Sequence, residues 1–200
     1  GDVLQGGLEV VGALKDPASA GLLSAWLADR KPGLRAAAAR AMGRLGAPGA
    51  ADALGRCLSD PVEAVRYAAV TGLADLDSPE AVEALKGALV DPSPWVRMAL
   101  ARAVSGRRDG PRPGPLAGLL DVLAGDPDDG VRVEALLAIA VSADASGRAA
   151  FPARVEAQPR AVRVLLKEVD LSHPALVALA RRVEEDRDAW SRTSALQALA

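Results

Sequence analysis

An arginine recurs along this chain at a nearly constant interval. The recurring residues are Arg35, Arg66, Arg97, Arg132, Arg163 and Arg192, separated by 31, 31, 35, 31 and 29 residues. An acid, often followed by proline, precedes most of them, and a run of alanine and branched aliphatic residues comes after. Repeats of this length each form one supersecondary unit that buries its apolar face only against its neighbours. The sequence therefore predicts a solenoid of stacked units.

Apolar residues hold fixed positions relative to each recurring arginine. One residue before it stand Leu34, Val65, Val96, Val131 and Val162; three residues after it stand Ala38, Ala69, Leu100, Ala135 and Leu166; seven residues after it stand Met42, Leu73, Val104 and Ile139. Because residues four and eight apart share one side of an α-helix, each phrase predicts an amphipathic helix, called here a second helix. Six residues after the arginine most repeats carry alanine or glycine, which predicts close approach of neighbouring helices.

A shorter helical pattern precedes each acid. Its apolar pairs lie four residues apart, at Leu23 and Leu27, Leu54 and Leu58, Leu85 and Leu89, and Phe151 and Val155. These segments are called here the first helices, and Ser78 and Pro79 illustrate their starts, with a capping hydroxyl and a proline. Each repeat thus predicts a helical hairpin. Helices of about twelve residues are marginal alone in water, so stacking must stabilise them.

The pattern predicts one repeat array over residues 1–200. We expect hairpins at about residues 17–45, 48–76, 79–105, 114–141, 146–170 and 172–200, after a lone helix near 3–14. The segment 105–114 is too rich in glycine and proline to be helical, so we expect an irregular loop there. The fifth repeat departs from the pattern, with Ala157 in place of the acid and Lys167 in an apolar position. Because the chain begins without methionine and ends on a helical pattern, we expect it to be a piece of a longer protein.

Charge and composition narrow the classes of partner. The 24 Lys and Arg against 26 Asp and Glu leave a formal charge of −2, which gives no general attraction for nucleic-acid phosphates. Cys57 stands alone, so an intrachain disulfide or a cysteine-rich zinc site cannot form. No apolar stretch reaches the roughly 18 residues of a membrane span. The compartment stays open, with the cytoplasm favoured.

The phrase Asp-Pro-x-x-x-Val-Arg, with alanine at the next helical turn, resembles the HEAT repeat over nearly the whole chain. The short period is similar to the compact bacterial variety found in phycobilisome-lyase-like HEAT proteins, and it departs from the period of about 40 to 47 residues typical of longer HEAT units. The tetratricopeptide and ankyrin signatures are absent. The resemblance implies an all-α fold, a right-handed α-solenoid of about six HEAT-like helical hairpins.

The resemblance also implies a ladder of ion pairs, in which the arginine of each repeat meets acids of its own or the adjacent unit. The residues that match are Asp29, Asp60, Asp91, Asp126 and Asp186 with Arg35, Arg66, Arg97, Arg132 and Arg192. We interpret this ladder as structural. An arginine inside the apolar arc must be paired, because an unpaired buried charge costs several kcal/mol.

In HEAT-like stacks the second helices line the concave surface. On that side of the helices of this chain, the residues one position after each recurring arginine are mostly apolar, and some of the residues five positions after it are arginines. Exposed apolar residues with a few arginines are typical of protein-binding grooves. The candidate partner-binding residues are Tyr67, Met98, Val133, Val164, Arg40, Arg102 and Leu137. The alternative is that they contact the adjacent repeat.

Two further features have both a structural and a functional interpretation. Trp95 and Trp190 stand two residues before a recurring arginine, where they either cap local packing or offer stacking surfaces, and packing is favoured. The cluster Arg102, Arg107, Arg108 and Arg112 would carry a nucleic-acid hypothesis. Without interleaved aromatic residues, solvation of a loop is the favoured interpretation.

No catalytic constellation emerges from the sequence. His173 is the single histidine and lies in a helix-start signature, with no nucleophile motif beside it. No spacing of metal ligands and no phosphate-binding glycine loop is present, so we expect no metal and no cofactor. The sequence therefore predicts a non-catalytic scaffold that presents a concave helical surface to a protein or peptide. The alternatives are a nucleic-acid-binding HEAT-like protein and an accessory HEAT domain of a larger enzyme.

Overall fold

The protein folds into short helices joined by tight connectors. A computed structural model describes residues 2–76, 78–105, 115–142, 151, 153–167 and 169. Within these residues the regular structure is helical, and no strand occurs. The α-helices are α1 (Asp2–Leu14), α2 (Ala20–Trp26), α3 (Pro32–Leu45), α4 (Ala50–Cys57), α5 (Glu63–Asp75), α6 (Pro79–Leu85), α7 (Pro94–Ser105), α8 (Pro115–Leu123), α9 (Asp129–Ser142) and α10 (Arg160–Lys167). Short 3-10 segments cover Pro17–Ser19 and Lys86–Val90.

The chain divides into two compact units, Gly1–Leu100 and Ala101–Ala200. In the first unit the second helices α1, α3 and α5 pack side by side in chain order. The first helices lie against them, with α2 on α3 and with α4 on both α3 and α5, and α4 also packs on α6. This arrangement is a two-layer stack of helical hairpins.

Local signals place the ends of these helices. Each described second helix after α1 begins three residues after an acid or its replacement, as at Pro32 after Asp29. Ser78 accepts a hydrogen bond from the backbone nitrogen of Ala81 at 3.1 Å and so caps α6, as predicted. Gly46 ends α3 with a φ of 66°, a left-handed conformation that glycine adopts without steric cost.

The predicted apolar positions form the core. The described side chains one residue before and three residues after each recurring arginine are buried, among them Leu34, Val65, Val96, Val131, Val162, Leu100 and Leu166. Seven residues after the arginine, Met42, Leu73 and Ile139 are buried as well. Most of the buried side chains are alanine, valine or leucine, so little volume separates adjacent helices.

Glycines stand where second helices approach most closely. A Cβ atom added to Gly43 on α3 would lie 2.3 Å from Cα of Gly72 on α5, and one added to Gly12 on α1 would lie 2.6 Å from Cα of Ala41 on α3. No side chain fits between backbones at that separation. The small residues of the repeat therefore set the distance between neighbouring second helices.

In the second unit, α8 and α10 both pack against α9. The α9 helix is buried along the whole of 133–140. Phe151 and Val155, predicted as the apolar pair of a first helix, are buried. The expected hairpin at 172–200, residues 106–114 of the expected loop, and part of the expected hairpin at 146–170 lie outside the described residues.

Candidate partner-binding surface

The recurring arginines connect successive repeats through paired hydrogen bonds. Nε of Arg35 donates to Oδ2 of Asp60 at 2.7 Å, and Nη2 donates to Oδ1 at 2.9 Å. Arg66 has the same geometry with Asp91, at 2.7 and 3.1 Å. In both pairs the acid lies 25 residues after the arginine, in the connector of the following repeat. Bidentate pairs between a guanidinium and a carboxylate are among the strongest hydrogen-bonded contacts in proteins.

The remaining nitrogen of each guanidinium bonds the backbone of its own repeat. Nη1 donates to the carbonyl oxygen of the aspartate six residues earlier in Arg35, Arg66, Arg97 and Arg132, at 2.8, 3.0, 2.6 and 2.6 Å. Each of these arginines therefore holds its own connector as well. The recurring arginines thus contact the recurring aspartates in two ways, through the carboxylate of the next repeat and through the backbone carbonyl of their own repeat. Asp186 and Arg192 lie outside the described residues.

The same aspartates also form a turn just before each second helix. Oδ1 accepts a hydrogen bond from the backbone nitrogen two residues later in Asp29, Asp60, Asp91 and Asp126, at 2.7, 2.8, 2.8 and 2.9 Å. An aspartate that accepts a hydrogen bond from the backbone two residues later closes an Asx turn, which directs the chain into the helix that follows. One carboxylate, in Asp60 and in Asp91, thus holds both the turn before its helix and the contact with the preceding repeat.

The pairing changes the acidity of its members. The hydrogen bond from Arg35 lowers the pKa of Asp60 because it stabilises the ionised carboxylate, burial opposes that effect, and the backbone N–H of Val62 adds to it. The same bond raises the pKa of Arg35, and Asp91 raises the pKa of Arg66 in the same way. Asp60 and the two arginines are therefore charged at neutral pH.

The ladder changes at Arg132. The position 25 residues later holds Ala157 where the two preceding pairs have an acid. Nη2 of Arg132 bonds Asp129 on its own helix instead, and its Nε is buried without a hydrogen-bond partner among the described residues. Nε is the atom that bonds the next aspartate in Arg35 and Arg66. The connection between these two repeats therefore lacks the carboxylate that would complete it.

The second-helix face consists of the side chains one and five positions after each recurring arginine. In the first unit Tyr67 on α5 and Met98 on α7 are half-buried, so each presents part of its apolar surface to solvent. Thr71, one turn after Tyr67, donates its hydroxyl proton to the carbonyl of Ala68 at 2.8 Å and has its donor satisfied. Ala36 is buried. The face thus offers an aromatic and a thioether side chain rather than a continuous apolar row.

In the second unit, part of the predicted row of partner-binding residues is buried. Val164 on α10 is exposed, as a partner-binding residue should be. Val133 and Leu137 on α9 are buried, so they contribute to packing in this structure and the expected exposed row does not extend to them. The alternative interpretation, contact with neighbouring helices, holds for these two residues, because α8 and α10 both pack against α9.

The two predicted arginines of the face are already paired. Nη2 of Arg40 lies 3.3 Å from Oε1 of Glu9, and Nη1 of Arg44 lies 3.9 Å from Oε2 of the same carboxylate. In the second unit Nε of Arg102 donates to Oε1 of Glu134 at 2.9 Å. Sequence reasoning missed both acids, although Glu9 lies one period of 31 residues before Arg40.

The arginine cluster, the tryptophans and the single histidine lie partly within and partly outside the described residues. Arg107, Arg108, Arg112, Trp190 and His173 lie outside the described residues. Trp95 is exposed, and its backbone nitrogen donates to the hydroxyl of Ser93 at 3.2 Å. Exposure removes the packing interpretation favoured for this indole and leaves it available to a partner. Trp26 is half-buried.

The described residues contain no site prepared for nucleophilic or metal chemistry. Cys57 is buried in α4, its Sγ donates to the carbonyl of Ala53 at 3.4 Å, and burial raises the pKa of the thiol. The reactive thiolate is therefore disfavoured. Among these residues no group of three or more His, Cys, Asp and Glu could hold a metal ion. Among the described helices, none has the length and apolar character that a membrane-spanning segment needs.

Comparison with known proteins identifies the repeat. The family model for HEAT repeats matches residues 2–64 and 56–140. This chain belongs to the HEAT-repeat family. Membership agrees with the stacked helical hairpins and with the recurring aspartate and arginine, and it confirms the predicted all-α class of fold.

Among solved structures the HEAT chain is similar to the complex of CpcE and CpcF of phycocyanin lyase from Nostoc sp. PCC7120. The match has 21% sequence identity and a TM-score of 0.48, and it covers 94% of this chain and 82% of that chain. Similarity at this level carries no argument about what the HEAT repeats bind. None of the curated proteins matches the sequence at a significant level.

Proposed function

We propose that this HEAT-repeat chain is a non-catalytic scaffold that binds a protein or peptide along its second-helix face. The observation that carries the proposal is the partial exposure of Tyr67 and Met98 at equivalent positions of two second helices. Aromatic and methionine side chains contribute interface energy out of proportion to their number. In a core made of alanine, valine and leucine, a tyrosine and a methionine directed partly to solvent are unusual choices.

Charge adds a second element of recognition. Arg40 and Arg44 share the single carboxylate of Glu9, so one positive charge is in excess on this part of the face. Both arginines are more than a third exposed, and exposed ion pairs rearrange at little cost. An acidic residue of a partner can therefore pair with one guanidinium while Glu9 keeps the other. The proposed partner segment combines an apolar anchor with an acidic side chain.

Rigidity is what the repeat contributes to binding. The ladder ties α3 and α5 to the connectors that follow them, so the side chains on the face keep their spacing before a partner arrives. A preorganised surface loses less conformational entropy when it binds. Binding to a preorganised surface needs no catalytic group. The thiol of Cys57 is buried and protonated, so it does not act as a nucleophile.

Affinity for selected peptides tests the proposal. Peptides selected from a displayed library on the immobilised 200-residue chain should lose affinity by at least about tenfold for the double variant Tyr67→Ser and Met98→Ser. A matched control is Val90→Ser with Val122→Ser, which removes two exposed apolar side chains away from the face. Peptides that bind both variants as tightly as the original chain would contradict the proposal.

A further inference from the structure

The contact between α9 and α10, called here the α9–α10 joint, lacks the carboxylate that connects the repeats of the first unit. Ala157 stands at the position that Asp60 and Asp91 occupy in the earlier repeats. Ala157 is exposed, whereas the side chains of those two aspartates are 11% and 5% exposed in their ion pairs. Nε of Arg132 is buried and has no hydrogen-bond partner among the described residues. No bidentate ion pair between described residues therefore crosses this joint.

The connector before α10 also lacks the turn that the earlier connectors share. In those connectors the aspartate accepts a hydrogen bond from the backbone nitrogen two residues later, in Asp29, Asp60, Asp91 and Asp126. Ala157 has no side-chain oxygen, and Pro159, two residues later, has no N–H. Because neither partner of that hydrogen bond is present, the connector before α10 is less constrained than the connectors before α3 and α5.

The glycine contact between second helices is not repeated at the α9–α10 joint. In the first unit the residue eight positions after one recurring arginine meets the residue six positions after the next, as Gly43 meets Gly72. The equivalent positions of the second unit hold Ala140 and Val169. Helix α10 ends at Lys167, before Val169 is reached. The close backbone approach that joins α3 to α5 therefore has no counterpart of the same kind here.

Apolar contacts hold the fifth repeat in place. The buried apolar side chains in its described part are Phe151, Val155, Val162 and Leu166. Nη1 of Arg154 lies 2.5 Å from Oδ1 of Asp121 on α8, but the two side chains are 44% and 58% exposed, and exposed ion pairs contribute little stability. Apolar contacts are not directional. The fifth repeat can therefore separate from α9 without first breaking a buried ion pair like those at Asp60 and Asp91.

Separation at this joint would uncover part of α9. On α3 the residues four and eight positions after the recurring arginine, Ala39 and Gly43, face α5, since a Cβ atom added to Gly72 would lie 2.7 Å from the carbonyl oxygen of Ala39. The equivalent residues on α9 are Leu136 and Ala140, which are 0% and 7% exposed. The side of α9 that faces α10 is therefore apolar and covered in this structure.

We propose that the α9–α10 joint is a conformational switch, at which the fifth repeat separates from α9 while the ladder keeps α3 and α5 joined. The closed state is the one described above. The open state exposes Leu136 and Ala140 to solvent. The switch does not depend on peptide binding along the second-helix face, so failure of either proposal leaves the other unaffected.

Hydrogen exchange of the unmodified chain tests whether the joint opens. After correction for intrinsic rates, the amides of α10 should exchange at least about tenfold faster than those of α5. Their exchange should also respond to urea less steeply than global unfolding does, because a local opening exposes less surface. Exchange in α10 that is as slow as in α5, or that follows global unfolding, would overturn the proposal.

Thiol labelling tests whether opening uncovers α9. In a Cys57→Ala background, Ala140→Cys should react with a maleimide at least about tenfold faster than Ala74→Cys, each rate taken relative to the same variant unfolded in urea. Ala74 is the matched position, eight residues after Arg66, and is likewise 7% exposed. Equal relative rates for the two variants would overturn the proposal.

Restoring the carboxylate should close the joint. Adding Ala157→Asp should slow the labelling of Ala140→Cys by about fivefold, because the new carboxylate pairs with Arg132, and should leave the labelling of Ala74→Cys unchanged. An unchanged rate for Ala140→Cys would show that the missing acid does not control the opening. Equal slowing of both variants would show a general gain in stability. Either result would overturn the proposal.

Discussion

The guanidinium of Arg66 and the carboxylate of Asp91 form two parallel hydrogen bonds, 2.7 Å from Nε to Oδ2 and 3.1 Å from Nη2 to Oδ1. The two side chains are 12% and 5% exposed, so water screens the pair weakly. Nη1 of Arg66 also donates to the carbonyl of Asp60 at 3.0 Å. One arginine therefore connects the residues before α5 to the residues before α7, and the spacing of these connectors depends on it.

Low pH should weaken the equivalent ion pair between Arg35 and Asp60. Its pKa is lowered in the folded protein, chiefly by the hydrogen bond from Arg35. The stabilisation is therefore fully present above the unfolded-state pKa of about 3.9 and is lost as the pH falls through the lower folded-state value. The variant Asp60→Asn can keep the hydrogen bond from the backbone N–H of Val62 but not the charge, and we expect it to unfold about 2 kcal/mol more easily at neutral pH.

Urea unfolding of the two proteins across the acidic range checks this expectation. The difference in unfolding free energy between the original chain and Asp60→Asn should shrink once the pH falls below the unfolded-state pKa. A difference that stays constant from neutral to acidic pH would show that the carboxylate charge contributes nothing.

Restoring the missing acid should stabilise the second unit. In Ala157→Asp the new carboxylate stands 25 residues after Arg132, whose buried Nε has no partner among the described residues. Residue 159 is proline and has no N–H to donate to the new carboxylate, so the gain comes from the arginine alone. We expect about 1 kcal/mol in unfolding free energy. The control Gln158→Asp adds the same charge one position away and should gain nothing; equal effects would argue against the ladder geometry.

The glycine contact between second helices should not tolerate a methyl group. Gly43→Ala would place a Cβ atom 2.3 Å from Cα of Gly72, so the helices must separate, and we expect a loss of about 2 kcal/mol. The matched control is Gly55→Ala in α4, where the nearest atom, Cβ of Ala84, is at the ordinary distance of 3.6 Å. That change should be neutral or stabilising by about 0.5 kcal/mol, from helix propensity alone. Thermal unfolding of both variants separates the two effects.

The sequence predicts the core of this fold well because the core is periodic. The positions of Leu34, Val65 and Val96 follow from one spacing rule, and all three are buried. The cap at Ser78 and the start of α6 follow equally from local chemistry. Such features depend on a few neighbouring residues and on the similarity of each repeat to the next.

The surface is predicted less well because exposure depends on several helices at once. A helical wheel places Leu137 away from the core, yet α8 and α10 both pack on α9 and leave it buried. The wheel also leaves Arg40 free, because its partner Glu9 belongs to another repeat.

A double-mutant cycle on Arg66 and Asp91 measures directly whether the ladder holds adjacent repeats together. Unfolding free energies are needed for the original chain, Arg66→Ala, Asp91→Ala and the double variant. If the bidentate pair holds adjacent repeats together, each single change should cost about 2 to 3 kcal/mol and the pair should couple by more than about 1 kcal/mol. Additive losses, with a coupling energy near zero, would contradict the ladder as the element that fixes one repeat against the next.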